Sequence, residues 1–167
     1  MSSLSPCIIL LMGVAGSGKT TIGRRLATEL AWPYFEADDF HSPANKEKMS
    51  RGIPLNDDDR APWLAAIRRQ IDECLATGRS AVFTCSALKE KYRQVLKGDA
   101  PAVNLVYLSG DEATIQARVN QREAHYMKAN MVQSQFAALE VPTDALMLDI
   151  QQPPEAMVAK IRQACGI

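Results

Sequence analysis

Short apolar runs alternate with amphipathic segments along most of the chain. The apolar runs predict five buried strands, at residues 7–12, 34–35, 80–85, 103–108 and 146–150. Between these runs, apolar residues recur at helical spacing, as at Ile22, Leu26 and Leu30, and predict helices. This alternation is typical of a three-layer α/β fold, in which helices cover both faces of a parallel sheet. Because no linker or repeat interrupts the pattern, we expect residues 1–167 to form a single domain.

A glycine-rich turn joins the first predicted strand to the first predicted helix. Residues 13–20 read GVAGSGKT and match the pattern G-x-x-x-x-G-K-[ST] at every fixed position. Glycines let the backbone curl around an anion, and N–H groups at the start of the helix donate to phosphate oxygens. We predict that Lys19 reaches the β- and γ-phosphates of ATP and that the Thr20 hydroxyl ligates Mg²⁺. The predicted nucleotide-binding residues here are Gly13, Val14, Ala15, Gly16, Ser17, Gly18, Lys19, Thr20 and Thr21.

Acidic residues follow the second predicted strand, in the segment 36–41, which reads EADDFH. In an open parallel sheet, ligands gather at the carboxyl ends of the strands, so we expect this segment to face the phosphate loop. A carboxylate there can hold Mg²⁺ through water or accept a proton from a substrate hydroxyl. Asp39 is equally suited to capping the next helix, so the pattern alone leaves the role of each acid open.

Cations lie near the ends of two later predicted strands. Lys89 and Arg93 follow the third strand, and Arg118 and Arg122 end the helix that precedes the irregular segment 123–130. Such arginines are of the kind that a mobile lid supplies to a transferring phosphoryl group. Favourable charge at a helix C-terminus explains them without any ligand, so this pattern alone does not decide.

Composition and charge exclude several classes of partner. The 19 Lys and Arg residues balance the 19 Asp and Glu residues, so no basic surface for nucleic acid or membrane lipid is predicted. No apolar run is long enough to span a membrane, and the apolar start suits a core strand better than a signal peptide, so we expect a cytoplasmic protein. The four cysteines lack metal-ligand spacing, and we expect small, buried, unbridged side chains. We also expect Trp63 to lie in the core.

Taken together, the motifs resemble the gluconokinases of the shikimate-kinase-like group. The most specific matches are PLNDDDRAPWL at 54–64 and CSALK at 85–89. Others, in the same order as in the family, lie at 13–20, 38–41, 45–49, 92–93, 125–127 and 134–140. The resemblance implies ATP-dependent phosphorylation of the terminal hydroxyl of D-gluconate to 6-phosphogluconate, with Mg²⁺. It also implies a P-loop fold with strand order 2-3-1-4-5, a mobile lid at about 121–131, and a homodimer.

The same resemblance implies roles for individual residues. The implied catalytic residues are Lys19, Asp38 and Arg122. Asp38 orients or deprotonates the substrate hydroxyl, Glu36 contacts Mg²⁺ through water beside Thr20, and Arg118 lies along the adenine. The residues implied to bind gluconate are Asp38, His41, Arg60, Lys89, Arg93, His125 and Gln135.

Two other interpretations of the sequence stay open. Shikimate kinases and nucleoside monophosphate kinases share the predicted fold, although the chain shows no second base-binding signature and its third strand ends in Cys-Ser-Ala rather than in a glycine triplet. A nucleotide-binding module that uses ATP only as a conformational signal would bind ATP without phosphorylating an acceptor. Turnover with a panel of acceptors separates these interpretations.

Overall fold

The protein is built around a five-stranded parallel sheet, described over residues 4–121 and 129–167 of this computed structural model. The strands are β1 (Ile8–Met12), β2 (Tyr34–Glu36), β3 (Ala81–Thr84), β4 (Val103–Ser109) and β5 (Leu146–Asp149). They lie in the order β2-β3-β1-β4-β5, all parallel, which confirms the predicted strands and their order. The carboxyl ends of all five strands therefore meet along one edge of the sheet.

Seven helices and one short 3₁₀ helix connect the strands in the described part of the chain. The helices are α1 (Lys19–Leu30), α2 (Pro43–Ser50), α3 (Asp57–Ala76), α4 (Glu90–Lys97), α5 (Glu112–Gln121), α6 (Ala129–Ala138) and α7 (Pro154–Cys165). The 3₁₀ helix spans Ala37–Phe40, directly after β2. Nothing is described of the side chains of residues 129 and 130. Among these helices, none combines the length and apolarity needed to cross a bilayer.

Hydrogen bonds from capping side chains fix where α2, α3 and α5 begin. The Ser42 hydroxyl accepts the Asn45 N–H at 3.1 Å and caps α2, so the interpretation of Asp39 as that cap is wrong. Asn56 and Asp59 form a reciprocal capping box at the start of α3, with bonds of 2.8 and 3.0 Å. Asp111 caps α5, because its carboxylate accepts the Thr114 N–H at 2.7 Å.

Alternate residues of β1 supply the centre of two separate cores. Ile8, Leu10 and Met12 pack with apolar residues of α3 and α4 on one face. Ile9 and Leu11 pack with α1, α5 and α7 on the other face. All five residues of β1 are fully buried, as expected for the middle strand of a sheet covered on both sides. The three-layer prediction is confirmed.

The four cysteines divide into two kinds. All four are free, and Cys74 and Cys85 are buried as predicted. Cys7 and Cys165 are only half-buried, so the prediction of four buried side chains is wrong for this pair. Their thiols interact with each other, and this hydrogen bond together with burial raises the pKa of Cys7. The pairing escaped prediction because it joins residues 158 positions apart (165 minus 7).

Helix α1 lies unusually close to the sheet at Gly23. A Cβ atom at this position would lie 2.8 Å from a side-chain carbon of Thr84 and 2.8 Å from one of Tyr34. Carbon atoms in proteins do not pack at this distance, so the contact requires a residue without a side chain. The missing side chain brings the helix that follows the phosphate loop directly against β2 and β3.

Gly23→Ala adds a methyl group to this contact. We expect the free energy of unfolding to fall by about 1–3 kcal/mol through overpacking, although alanine is favoured over glycine in a helix by about 1 kcal/mol. Chemical denaturation followed by circular dichroism measures the change. Thr28→Ala, on the exposed face of α1, is the control and should change stability by about 0.5 kcal/mol or less. A Gly23→Ala protein as stable as its parent would contradict the tight packing.

Candidate functional site

The phosphate loop runs from the end of β1 to the first turn of α1. Gly16 and Gly18 adopt left-handed backbone angles, with φ of 80° and 97°. A side chain on Gly16 would also lie 3.0 Å from a Val119 methyl group, so the loop rests against α5 through bare backbone. Gly18 is the N-cap of α1, and the first turn of that helix carries no acidic residue. The positive end of the helix therefore forms an anion site of the predicted kind.

Lys19 lies over the beginning of this loop. Its Nζ donates to the carbonyl oxygens of Gly13 at 2.9 Å and Val14 at 3.1 Å. These bonds hold the ammonium on the same side of the loop as the helix N-terminus. The lysine charge therefore adds to the helix dipole where a phosphate would bind.

A hydroxyl and a carboxylate meet beside the loop, as predicted. The Thr20 hydroxyl donates to Glu36 at 3.1 Å. The Tyr34 hydroxyl donates to the same carboxylate and also contacts the buried Thr84 hydroxyl at 2.9 Å. Burial, followed by the bond to Glu36, raises the pKa of Tyr34, so the phenol stays protonated and keeps donating. The sequence analysis missed Tyr34, although its i, i+2 spacing from Glu36 in a strand would place both on one face.

Asp38 belongs to the same carboxyl edge of the sheet. It lies in the 3₁₀ helix after β2, and its side chain is exposed. Cys85, at the end of β3, is buried, and burial raises the pKa of its thiol to about 12. The charges of Lys19, Asp38 and Glu36 also act on this thiol, so the three predicted site residues lie within electrostatic range of one strand end. The negative charge of Asp38 acts on both Cys85 and His41.

Further cations and hydroxyls gather between α3 and α4. The Arg60 guanidinium lies over the Tyr92 ring, 5.6 Å from its centroid, and donates to the Tyr92 hydroxyl at 3.3 Å. Asp57 accepts bonds from Lys91 and Tyr92, which lower the pKa of its carboxyl group. The positive charge of Lys89 acts on Asp57 in the same direction, and that of Arg60 acts on His41. The predicted substrate residues His41, Arg60 and Lys89 thus lie around one surface.

The ring of His41 is held between α2 and α3. It stacks on Trp63 with the ring centroids 4.2 Å apart and the planes 12° from parallel. The Trp63 indole N–H donates to the Ala37 carbonyl at 2.7 Å, which fixes the tryptophan in turn. Trp63 is only half-buried and forms a platform for a site residue, so the prediction of a simple core position missed its role.

Arg93 is turned away from this surface. Only 3% of the residue is exposed, and its guanidinium donates to the carbonyl oxygens of Ala87 at 2.8 Å and Glu140 at 2.7 Å. Two further bonds, of 3.0 and 3.2 Å, go to the Glu90 carboxylate. Ala87 adopts a left-handed backbone with φ of 45°, which is unfavourable for alanine. The structure therefore engages Arg93 in holding the turn between β3 and α4 and does not group it with Arg60.

Gln135 lies against the phosphate loop. Its amide oxygen accepts the Ala15 N–H at 2.7 Å. Gln135 is predicted to bind gluconate, but this bond places it beside the phosphate loop. The segment after α6 reaches the opposite side. Glu140 donates its N–H to the Leu88 carbonyl at 2.8 Å and accepts the Glu90 N–H at 2.9 Å. Helix α6 therefore bridges the phosphate loop and the turn that carries Lys89.

Arg118 borders a cavity of about 330 Å³ beside the phosphate loop. The guanidinium donates to the Ile150 carbonyl at 2.7 Å, which holds the side chain across the gap between α5 and the β5–α7 loop. The other residues that line the cavity include Gly16, Ser17, Gly18, Thr21, Gln152 and Pro154. A cavity of this size next to an anion site suits the base of a nucleotide. Arg122, His125 and most of the predicted lid at 121–131 lie outside the described residues.

Replacing Arg93 tests its structural role. Arg93→Gln leaves the carbonyls of Ala87 and Glu140 without their donor, and we expect the free energy of unfolding to fall by about 2–5 kcal/mol. Arg60→Gln is the matched control, because the Arg60 side chain is 31% exposed and should cost about 1 kcal/mol or less. Urea denaturation of both variants measures the difference. Equal stability of the two variants would contradict the structural assignment of Arg93.

Comparisons with known proteins agree with this geometry. A model of the AAA domain family matches residues 8–143. A gluconokinase from Gluconobacter oxydans is 47% identical over 141 residues, which cover 84% of this chain and 79% of that protein. The thermoresistant gluconokinase of Escherichia coli is 40% identical over 156 residues, with coverage of 91% and 89%. A crystal structure of a gluconokinase from Sinorhizobium meliloti superimposes with a TM-score of 0.83 at 39% identity, covering 97% of this chain and 93% of that one.

These similarities cover between 84% and 97% of this chain and between 79% and 93% of each relative. The span matched by the family model, residues 8–143, contains the phosphate loop, the acidic turn after β2 and the cations between α3 and α4. The chain belongs to the gluconokinase family.

Proposed function

We propose that the protein transfers the γ-phosphoryl group of ATP to the terminal hydroxyl of D-gluconate and forms 6-phosphogluconate. The observation that carries the proposal is that Lys19 is bonded to the phosphate loop while Glu36, at the end of β2, lies 3.1 Å from the Thr20 hydroxyl. Asp38 lies two residues further on. Phosphoryl transfer needs a site that binds phosphate, charge that stabilises the transition state and a group that receives the acceptor's proton. These three residues and the loop supply each of them.

The nucleotide is bound by the loop and the cavity next to it. Backbone N–H groups at the start of α1 donate to the phosphates, and the ammonium of Lys19 stabilises charge on the group in transfer. The base occupies the cavity bordered by Arg118. Gln135 is reassigned within this proposal, from gluconate to the phosphate loop, because its amide oxygen accepts the Ala15 N–H.

The donor set beside the loop suits Mg²⁺. The Thr20 hydroxyl and the Glu36 carboxylate are hard oxygen ligands, and they already lie within hydrogen-bond distance of each other. Thr20 and Glu36 would be the residues that hold the ion. No cluster of three or more His, Cys, Asp or Glu side chains that could hold a metal occurs in the described residues. When bound, Mg²⁺ neutralises charge on the β- and γ-phosphates. Tyr34 keeps the Glu36 carboxylate in place through its hydroxyl bond.

The acceptor lies between Asp38 and the cations of α3 and α4. Asp38 orients the terminal hydroxyl and takes its proton as the phosphoryl group moves. Arg60 and Lys89 bind the carboxylate of gluconate, because a planar guanidinium matches a carboxylate in bidentate geometry. Arg93 does not contact the acceptor in this proposal; it stabilises the turn before Lys89 by donating a hydrogen bond to the Ala87 carbonyl. Roles for Arg122 and His125 near the phosphates and the acceptor, and a cytoplasmic homodimer as the working form, belong to the same proposal on family grounds.

A panel of acceptors tests the proposed activity. We expect ATP-dependent turnover with gluconate and none above background with shikimate or nucleoside monophosphates. Glucose has the same terminal hydroxyl but no carboxylate, so its kcat/KM should be about 10²-fold lower or worse. A coupled assay of ADP release records all of them.

Lys19→Ala is the control for that panel. It should retain the fold and lower kcat by about 10²–10³-fold, which separates turnover by this protein from that of a contaminating kinase. Equal use of glucose and gluconate would contradict the carboxylate site. ATP binding without turnover of any acceptor would instead indicate a nucleotide-binding module.

Asp38 and Asp39 form a matched pair for the proton transfer. Asp38→Asn keeps the shape of the side chain and removes its charge, and we expect kcat to fall by about 10²–10⁴-fold while ATP binding survives. Asp39→Asn removes a charge one residue away and should leave kcat within a few-fold of the parent. Steady-state turnover and calorimetric ATP binding measure both effects. An inactive Asp39→Asn beside an active Asp38→Asn would show that the acceptor meets the other acid.

A further inference from the structure

Asn45 makes two hydrogen bonds that together fix the state of His41. Both residues are buried, with exposed fractions of 6% and 8%. The Asn45 side-chain nitrogen donates to the Asp59 backbone carbonyl at 2.9 Å. The same nitrogen lies 3.3 Å from Nδ1 of His41. Asn45 is therefore shared between the start of α3 and the imidazole ring.

The first bond determines which end of the amide faces the histidine. A backbone carbonyl only accepts hydrogen bonds, so the atom that contacts Asp59 is the amide nitrogen and not the amide oxygen. That nitrogen carries a second hydrogen, which is directed at Nδ1. Nδ1 must then offer a lone pair, so the ring proton resides on Nε2. An imidazolium carries protons on both nitrogens, so its Nδ1–H would point at the Asn45 N–H and this hydrogen bond would be lost.

The other groups around the ring also favour its neutral form on balance. Burial is the largest effect and lowers the pKa of His41. The positive charges of Lys46 on α2 and Arg60 on α3 act in the same direction, whereas Asp38 in the 3₁₀ helix opposes them. The Trp63 ring that covers one face is uncharged. The net pKa lies below the usual value of 6.5, so the ring is neutral at pH 7.

Nε2 is open to a ligand. Among the described residues, only the Ser17 hydroxyl is a fully buried side-chain polar atom without a hydrogen-bond partner. No described residue bonds to Nε2, and Nε2 is not among the fully buried unpartnered atoms, so this nitrogen keeps some exposed surface. A protonated Nε2 on a neutral ring can donate a hydrogen bond, but it cannot accept a proton.

We infer that Asn45 holds His41 as the neutral Nε2–H tautomer, so that His41 donates to a hydroxyl oxygen of gluconate and neither pairs with its carboxylate nor acts as the base. The inference rests on the proposed function for the identity of the acceptor. Asn45 is a positioning residue in this arrangement, since it acts through His41. The proton of the terminal hydroxyl is left to Asp38.

The tautomer is directly measurable in the unmodified protein. Long-range ¹H–¹⁵N spectra distinguish protonated from unprotonated ring nitrogens, and the chain has only two histidines. His125→Gln assigns the two sets of signals. We expect a protonated Nε2 and an unprotonated Nδ1 for His41 at pH 7.5, and a change in the Nε2 signal when gluconate is added. A protonated Nδ1 would overturn the inference, and so would a gluconate complex in which Nε2 does not respond.

Asn45→Asp reverses the hydrogen bond. A carboxylate accepts from Nδ1–H and attracts the imidazolium, so we expect the pKa of His41 to rise by about 1–3 units. In the parent, KM for gluconate should be flat from pH 6.5 to 8. In the variant it should change about 3- to 10-fold across the same range as His41 titrates. Asn56→Asp adds the same charge at the cap of α3, where aspartate also caps well, and should leave both the titration and KM near parental values.

The outcomes separate the inference from the proposed function. Absence of gluconate turnover in the parent protein contradicts the proposed function, whatever the state of His41. Turnover with an unchanged His41 titration in Asn45→Asp contradicts the positioning role of Asn45. Should Asn45→Asp fail to fold, the tautomer measured in the parent still decides, because that measurement needs no substitution at Asn45.

Discussion

Helix α1 lies against the sheet at a distance that only glycine at position 23 permits. This contact governs the geometry of the nucleotide side. The helix begins at the phosphate loop, so its distance from the sheet determines where the positive N-terminus and Lys19 lie. The Tyr34 ring that packs at Gly23 also donates its hydroxyl to Glu36. One close contact therefore positions both the anion site and the carboxylate beside it.

Arg60 and Arg93 differ in burial, and this difference separates a side chain that is able to bind a ligand from one that stabilises the fold. Arg60 is partly exposed and is held loosely by a ring face and a carboxylate, so it can exchange these partners for a ligand. Arg93 is almost fully enclosed, and its hydrogens go to carbonyl oxygens that no other described group satisfies as well. Removing the donor from such carbonyls lowers the free energy of unfolding, whereas an enclosed guanidinium is not accessible to a ligand. The sequence presents both simply as arginines near strand ends.

What the sequence predicted well were features set by neighbouring residues. The strand order and the phosphate loop followed from apolar runs, glycine spacing and the family resemblance. Spacing carries no information about partners far apart in the chain. Gln135 meets a loop 120 residues away, and Arg93 meets a carbonyl 47 residues away, so their roles needed the fold. The stacking of His41 on Trp63 likewise joins the segment before α2 to α3 and is not visible in local spacing.

Helix α6 and the residues that follow it touch both halves of the site at once. Gln135 and Glu140 are five positions apart. Gln135 lies in the last turn of α6, and Glu140 lies two residues beyond the end of the helix, so the connection between them is short, about 7.5 Å if helical throughout. An anion that takes the Ala15 N–H competes with Gln135 for a single donor. The other end of this segment is bonded to the turn that carries Lys89, so the proposed function predicts that this competition changes the affinity for the acceptor. Linkage then makes the effect reciprocal: by whatever factor nucleotide alters the affinity for the acceptor, the acceptor alters the affinity for nucleotide.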